Sequence, residues 1–250
     1  MTRKRVLIAG ESWTVHSIHQ KGFDSFTTTE YEEGVGALRD ALLEDGWDVA
    51  YQPSHVAATS FPATPDELGA YDCVILSDIG ANTLLLHPRT FKHAEARPDR
   101  LVALREWVAG GGALIMVGGY LTFQGIDAKA RYHGSPVEEA LPVTMSPYDD
   151  RVERPAGVLP EVTLKDHEVV AGLDATWPAL LGYNAVTPRP EAEVLATVGA
   201  DPLLVVGHHG AGRSVAFTSD CGPHWAPHEF LSWSGYNRLW QQMAAWSIGA

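Results

Sequence analysis

Cysteine is nearly missing from this sequence: Cys73 and Cys221 are the only two among 250 residues. Two thiols cannot form a disulfide framework, so stability must come from a packed core. Basic residues are also scarce. Eighteen Lys and Arg face 31 Asp and Glu, for a formal charge of −13 with histidines neutral. Such a surface repels nucleic-acid backbones and anionic headgroups, and the basic cluster Arg3-Lys4-Arg5 is too small to reverse that. Long apolar runs are lacking as well. None approaches the ~18–20 residues of a membrane span, and Val6-Leu7-Ile8-Ala9 is cut off by Glu11, too short for the core of a leader peptide. These absences predict a cytoplasmic protein that binds neither nucleic acid nor membrane.

With 45% hydrophobic and 20% charged residues, the composition suits one large globular domain spanning residues 1–250. Short aliphatic runs without period-2 alternation punctuate helical patterns, which predicts an α/β fold whose strands are covered on both faces. Strands are expected at 5–9, 48–52, 71–76 and 113–117. A polar loop is expected around Glu11-Ser12-Trp13, a helix over 31–44 capped by Gly46, and a second helix over 99–109 ended by Gly110-Gly111-Gly112. From 123 to 160 the pattern dissolves into turn residues and prolines, an excursion of the kind that usually carries function. Strands return at 194–198, 202–207 and 212–219, the last two as an antiparallel hairpin. The chain ends in a helix over 236–248 with Leu239, Met243 and Trp246 inward.

The segments RVLIAGESW, KGFDSFTTTEYEEG, VILSDIGANT, GGGALIMVGGYLTFQGI, RYHGSPVEEALPV and GRSVAFTSDCGPHW, in this order, resemble the class I glutamine amidotransferase-like family. Within it they are most similar to the cytoplasmic glutamine amidotransferase-like group, related to trehalose-utilisation-type proteins. The resemblance spans the chain and implies a single flavodoxin-like, three-layer domain. It has a mostly parallel sheet, helices on both faces, and an antiparallel hairpin near the C-terminal end. A glutaminase of that family carries a cysteine at the turn after the strand that 113–117 resembles, with a His and a Glu near the chain's end. Here the turn reads Val117-Gly118-Gly119-Tyr120-Leu121. Thr122 is its nearest hydroxyl, and His224 is followed by Trp225 and Ala226 with Glu229 off register. The resemblance thus implies the fold and a link to sugar metabolism without the standard Cys-His-Glu chemistry.

Ligands of open α/β sheets bind at the carboxyl ends of the strands. The residues there are Glu11, Ser12 and Trp13; Ser77, Asp78 and Asn82; Gly118, Gly119, Tyr120 and Gln124; and Asp220, Cys221 and His224. Glu11 and Asp78 are either loop charges and caps or an acid/base pair. Gly118-Gly119 either presents N–H groups to an anion or makes a tight turn. Cys221 beside His224 is either a nucleophile or an inert buried thiol. No cofactor is expected. A divalent metal on Cys221, His224 and His228 is the alternative, opposed by Pro223 and Pro227, which break the helical spacing; His16-x-x-His19 adds two further nitrogens. In the excursion, Gln124, Arg131, Tyr132 and His133 form either a lid or a subunit contact. Three functions remain open. The first is an enzyme acting on a small polar metabolite, sugar-derived compounds among the candidates, through Glu11, Asp78 and His224. The second is a non-catalytic binding or assembly subunit, and the third is glutamine hydrolysis through Cys221 and His224. A small polar ligand and a homo-oligomer are the expected partners.

Overall fold

The computed structural model describes residues 3–250. In chain order the elements are β1 (Arg5–Gly10), β2 (Ser12–Lys21), β3 (Asp24–Glu33), α1 (Gly36–Glu44), β4 (Asp48–Gln52), α2 (Ser54–Ser60), α3 (Pro65–Leu68) and β5 (Cys73–Ser77). Next come α4 (Ala81–Leu85), α5 (Pro88–His93), α6 (Arg100–Ala109), β6 (Ala113–Val117), α7 (Pro136–Ala140), β7 (Val143–Met145), β8 (Arg151–Val158) and β9 (Pro160–Val162). The chain finishes with β10 (Leu180–Asn184), β11 (Val186–Pro188), β12 (Glu193–Val198), β13 (Asp201–His209), β14 (Gly212–Phe217), α8 (His228–Leu231) and α9 (Tyr236–Ser247).

Eight strands form one sheet in the order β4-β1-β5-β6-β14-β13-β12-β9. From β4 to β14 the strands run parallel, and from β14 onward the pairing is antiparallel. Successive side chains of a strand point to opposite faces, and both faces here are covered. Val6, Ile8, Ile75 and Ile115 pack with α1 and α9 through Leu38, Leu42, Leu239 and Met243. Leu7, Val74, Leu76 and Met116 pack with α6 through Leu101, Leu104 and Val108 on the other side. That double burial explains why these strands read as unbroken apolar runs. Asp99 caps α6 by accepting from the N–H groups of Leu101 and Val102, as its sequence position predicted.

The N-terminal expectation needs correction. The stretch around Glu11–Trp13 is not a loop, and residues 31–33 are not helical. β2 and β3 form a ten-pair antiparallel hairpin, from Ser12↔Glu33 to Lys21↔Asp24, closed by the two-residue turn Gly22-Phe23 with Gly22 left-handed at φ 66°. Every residue of 14–33 except Ser17 is exposed, so this arm stands off the body. Thr27-Thr28-Thr29 and Tyr31 are strand formers, and with no buried face they gave no alternation to read. The excursion is also more ordered than its sequence suggested: α7, β7 and β8 lie within 123–160, and β7 and β8 pair with β11 and β10 in two small sheets.

Candidate functional site

Going from β1 the chain crosses to β4 on one side, then returns to β5 on the other, so the strand order reverses between β1 and β5. Their carboxyl ends mark the switch point at which ligands of such sheets bind. Glu11 follows β1 and Asp78 follows β5. Both hold left-handed backbones, at φ 47° and 42°, a conformation that non-glycine residues keep only when their surroundings enforce it. The strands approach closely here, with the Glu11 N–H donating to the Ser77 carbonyl at 2.6 Å. A Cβ on Gly10 would collide with that carbonyl oxygen, which is why glycine precedes Glu11.

The Glu11 carboxyl is buried and accepts from Ser77 Oγ at 2.5 Å. Ser77 Oγ also lies 3.5 Å from Cys221 Sγ. Burial, reinforced by the charge of Asp78 and opposed by hydrogen bonds from Ser77 and Cys221, pushes the Glu11 carboxyl up to about 7. Asp220 is raised well above the usual carboxylate range by burial and then by the Glu11 charge. Burial, Glu11 and Asp220 likewise push the Cys221 thiol up, so it stays protonated at neutral pH. Among the described residues no Lys or Arg side chain pairs with Glu11, Asp78 or Asp220. The cluster is therefore acidic, with no side-chain cation of Lys or Arg to balance it among the described residues.

Asp78 has a different task. Its carboxyl group accepts from the N–H of Leu121 at 2.7 Å. Burial raises its pKa, while the Leu121 N–H, His224 and the Tyr120 backbone oppose the rise. The N–H of Gly118 donates to the Phe217 carbonyl at 2.8 Å, and that of Gly119 to Asn184 Oδ1 at 3.0 Å. Asn184 Nδ2 in turn donates to the Gly119 carbonyl and to Asp150 Oδ1, and Asp150 accepts from the N–H groups of Gln124 and Gly125. The N–H groups of Gly118, Gly119 and Leu121 are thus consumed within the protein. Asp78 sits where an anionic ligand of the turn would otherwise place its oxygens.

Over this layer lies an aromatic one. The His224 ring stacks on Tyr120, with centroids 5.3 Å apart and planes 6° apart, and meets Trp13 at 5.4 Å. Its side chain is 44% exposed, with Nδ1 4.0 Å from Asp220 Oδ2, beyond hydrogen-bond reach. Glu153 fastens the rim by accepting from Tyr120 Oη and from Trp225 Nε1, each at 3.1 Å, while the Arg151 guanidinium lies over the Tyr120 ring. Aromatic faces above carboxyl groups suit a polar ligand that has apolar C–H faces.

Of the residues picked from sequence, Glu11, Trp13, Asp78, Gly118, Gly119, Tyr120, Asp220, Cys221 and His224 converge on this cluster. Ser12 instead ties the root of the arm to α2, its Oγ accepting from the Ser54 N–H. Asn82 and His133 line a separate recess of about 300 Å³ with Asp99 and Arg131. Gln124 braces the excursion, accepting from the His133 N–H and donating to the Pro147 carbonyl. Tyr132 is fully buried with its hydroxyl on the Ile79 carbonyl, so it faces neither a ligand nor another subunit. His16 and His19 are on the exposed arm, each beside a threonine hydroxyl. The residues whose ligand atoms lie within 4.8 Å of one another are Glu11, Asp220 and Cys221, without His224 or His228. Asn184, Asp150 and Glu153 went unread in the sequence. A polar residue ending the apolar run Leu180–Asn184 was the available signal for the first.

The fold is a doubly wound α/β domain, and its turn after β6, Gly118-Gly119-Tyr120-Leu121, carries no cysteine, serine or threonine. The chain belongs to the GATase1_like family, described as "Putative glutamine amidotransferase", which matches residues 5–248. Two solved structures from Salmonella typhimurium are similar over nearly the whole chain. Cytoplasmic protein STM3548 is 45% identical, with a TM-score of 0.94 over 97% of this chain and 98% of that one. Cytoplasmic protein STM1381 is 44% identical, with a TM-score of 0.94 over 97% and 99%. A ThuA-like protein from Parabacteroides merdae shares the fold at 13% identity, with a TM-score of 0.60 over 99% and 90%. None of the curated proteins matches the sequence.

Proposed function

We propose that the protein is a cytoplasmic enzyme that acts by proton transfer on a small polar metabolite, with sugar-derived compounds the favoured class. The observation that carries this reading is the buried Glu11 carboxyl, held near neutrality at the switch point beneath the solvent-facing His224. A carboxyl with a pKa close to the working pH is suited to give and take a proton. In this reading Glu11 exchanges the proton, burial and Asp78 raise its affinity for it, and the half-exposed His224 stands on the solvent side of the cluster. Asp78 holds the turn that positions Tyr120, which with Trp13 forms the face of the binding site. The sugar-derived class is suggested by these aromatic faces and by the resemblance of the sequence to trehalose-utilisation-type proteins. Cys221 is excluded as nucleophile in this scheme, because its thiol lies under Ser77 and Glu11 and stays protonated.

The test is a panel of sugars, sugar acids, amino acids and amides, glutamine included, incubated with the full chain in deuterated buffer and followed by NMR for turnover or solvent exchange. A polyhydroxylated compound should react, glutamine should not, and Glu11→Gln should lower the rate by about 10²–10⁴. Undiminished activity in Glu11→Gln, or consumption of glutamine, overturns the proposal. Saturable binding with no turnover of any compound would favour a non-catalytic binding subunit instead.

A further inference from the structure

Among the described residues, the contacts of the arm formed by β2 and β3 with the rest of the chain lie at its root, where Ser12 bonds to Ser54 and the Tyr31 ring meets His55 edge-on. An isolated two-stranded hairpin is marginal in water, yet this one extends ten residues per strand, roughly 30 Å at about 3.3 Å per residue. It also displays apolar groups that a free surface seldom carries so densely: Val15, Ile18 (75% exposed), Phe23, Phe26 and Tyr31. The pairing register places Trp13, Val15, Phe26, Glu30 and Glu32 on one face. That face is aromatic and acidic.

A complementary surface exists on the same chain. Across α5 and the residues after it, Phe91 is 77% exposed and is accompanied by exposed Lys92 and Arg97; Arg89 is already paired with Glu95. In a protein of net charge −13 this is an uncommonly basic patch, and the basicity is felt locally. His87, which caps α5, is held below its usual range by burial and then by Arg97, Arg100 and Arg89. The arm is rooted on α2, which packs against α4, the helix just before α5. Arm root and basic patch are therefore connected through the neighbouring helices α2 and α4.

We propose that the arm is a subunit clasp: its acidic aromatic face lies on the Phe91-Lys92-Arg97 surface of a second copy of this chain, and the second copy's arm returns the contact about a two-fold axis. Each copy then gives and receives the same patch, the self-complementary arrangement of a closed dimer. The ten residues of that arm face and the receiving patch are each buried twice by the two-fold, which brings the contact toward the size of a standard interface. Because Trp13 at the arm root touches His224, the clasp also adjoins the candidate active site. This inference does not depend on the reaction proposed above.

The experiment is sedimentation velocity and light scattering on the full chain over a concentration series at low and high salt. Wild type should be dimeric, and less tightly so in salt. Glu30→Lys with Glu32→Lys should weaken the dimer roughly tenfold or more, and Lys92→Glu with Arg97→Glu should do the same. The four changes together should recover association to within a few-fold of wild type, because every charge pair is restored in reverse. These side chains are exposed and outside the core, and circular dichroism would verify that each variant is folded. A monomeric wild type, a dimer unmoved by either pair, or a fourfold variant that stays dissociated overturns the proposal.

Discussion

Replacing Glu11 by Gln should stabilise the fold in alkali while removing the proton carrier. The native carboxyl titrates near 7, against 4.5 for an exposed one. Between those values the folded state binds more proton than the unfolded state, so stability falls as pH rises through this window and stays low above it. At about 1.4 kcal/mol per tenfold change in proton affinity, the loss amounts to about 3 kcal/mol. Gln has nearly the same shape and no charge to desolvate. Its Oε1 can keep the bond from Ser77 Oγ, and its amide can donate toward Asp220. Allowing about 1 kcal/mol for imperfect rearrangement of those bonds, the net gain is about 2 kcal/mol at about pH 8. For a chain of this size that raises the melting temperature by about 4–8 °C. At about pH 5, where the native Glu11 is already neutral, the variant should match wild type or fall slightly below it. Calorimetric scans of both proteins from acid to alkali provide the assay. A melting-temperature difference that does not change with pH, or destabilisation on the alkaline side, would refute the claim that Glu11 is desolvated and protonated in the fold.

Other expectations concern the supports of the site. Asn184→Ala should cost about 3 kcal/mol in urea unfolding, because it strands the buried Gly119 N–H and removes a donor from Asp150; a cost below about 1 kcal/mol would mean the turn is held by other means. Gly10→Ala should lose more than about 4 kcal/mol and yield little soluble protein, since its Cβ would collide with the Ser77 carbonyl at φ 105°; normal expression and melting would contradict the close approach of β1 to β5. Neither thiol should react with an aromatic disulfide reagent at mild alkaline pH while the protein is folded, because burial pushes Cys73 up to about 12 and Cys221 higher than its usual range as well. Fast, stoichiometric labelling of Cys221 in the native state would restore it as a candidate nucleophile.

The central sheet was legible because burial on both faces leaves a plain mark: Val-Ile-Leu and Leu-Ile-Met-Val runs between helical patterns. Strand ends in such a sheet gather at one edge by topology, which is why Glu11, Asp78, Tyr120 and His224 could be named as one candidate cluster without any contact information. The arm was not legible for the opposite reason. Its strands have no buried face, so hydrophobic periodicity is missing, and only Lys21-Gly22-Phe23-Asp24 with the threonine run beyond it hinted at a hairpin. Roles were harder to read than positions. Glu11 and Asp78 are both carboxyls at strand ends, and only the three-dimensional donors distinguish them: a serine hydroxyl and a thiol for one, the N–H of Leu121 in the turn for the other. Asn184 stands 65 residues from the Gly119 it braces and Asp150 stands 26 from Gln124, long-range relations to which local pattern is blind.

Asp78 also sets a barrier to change. A thiol introduced at the turn after β6 would find the N–H of Leu121 already taken by Asp78 and those of Gly118 and Gly119 by the Phe217 carbonyl and Asn184. The turn is thus internally satisfied, and any new ligand there must first compete with Asp78 and Asn184 for its donors.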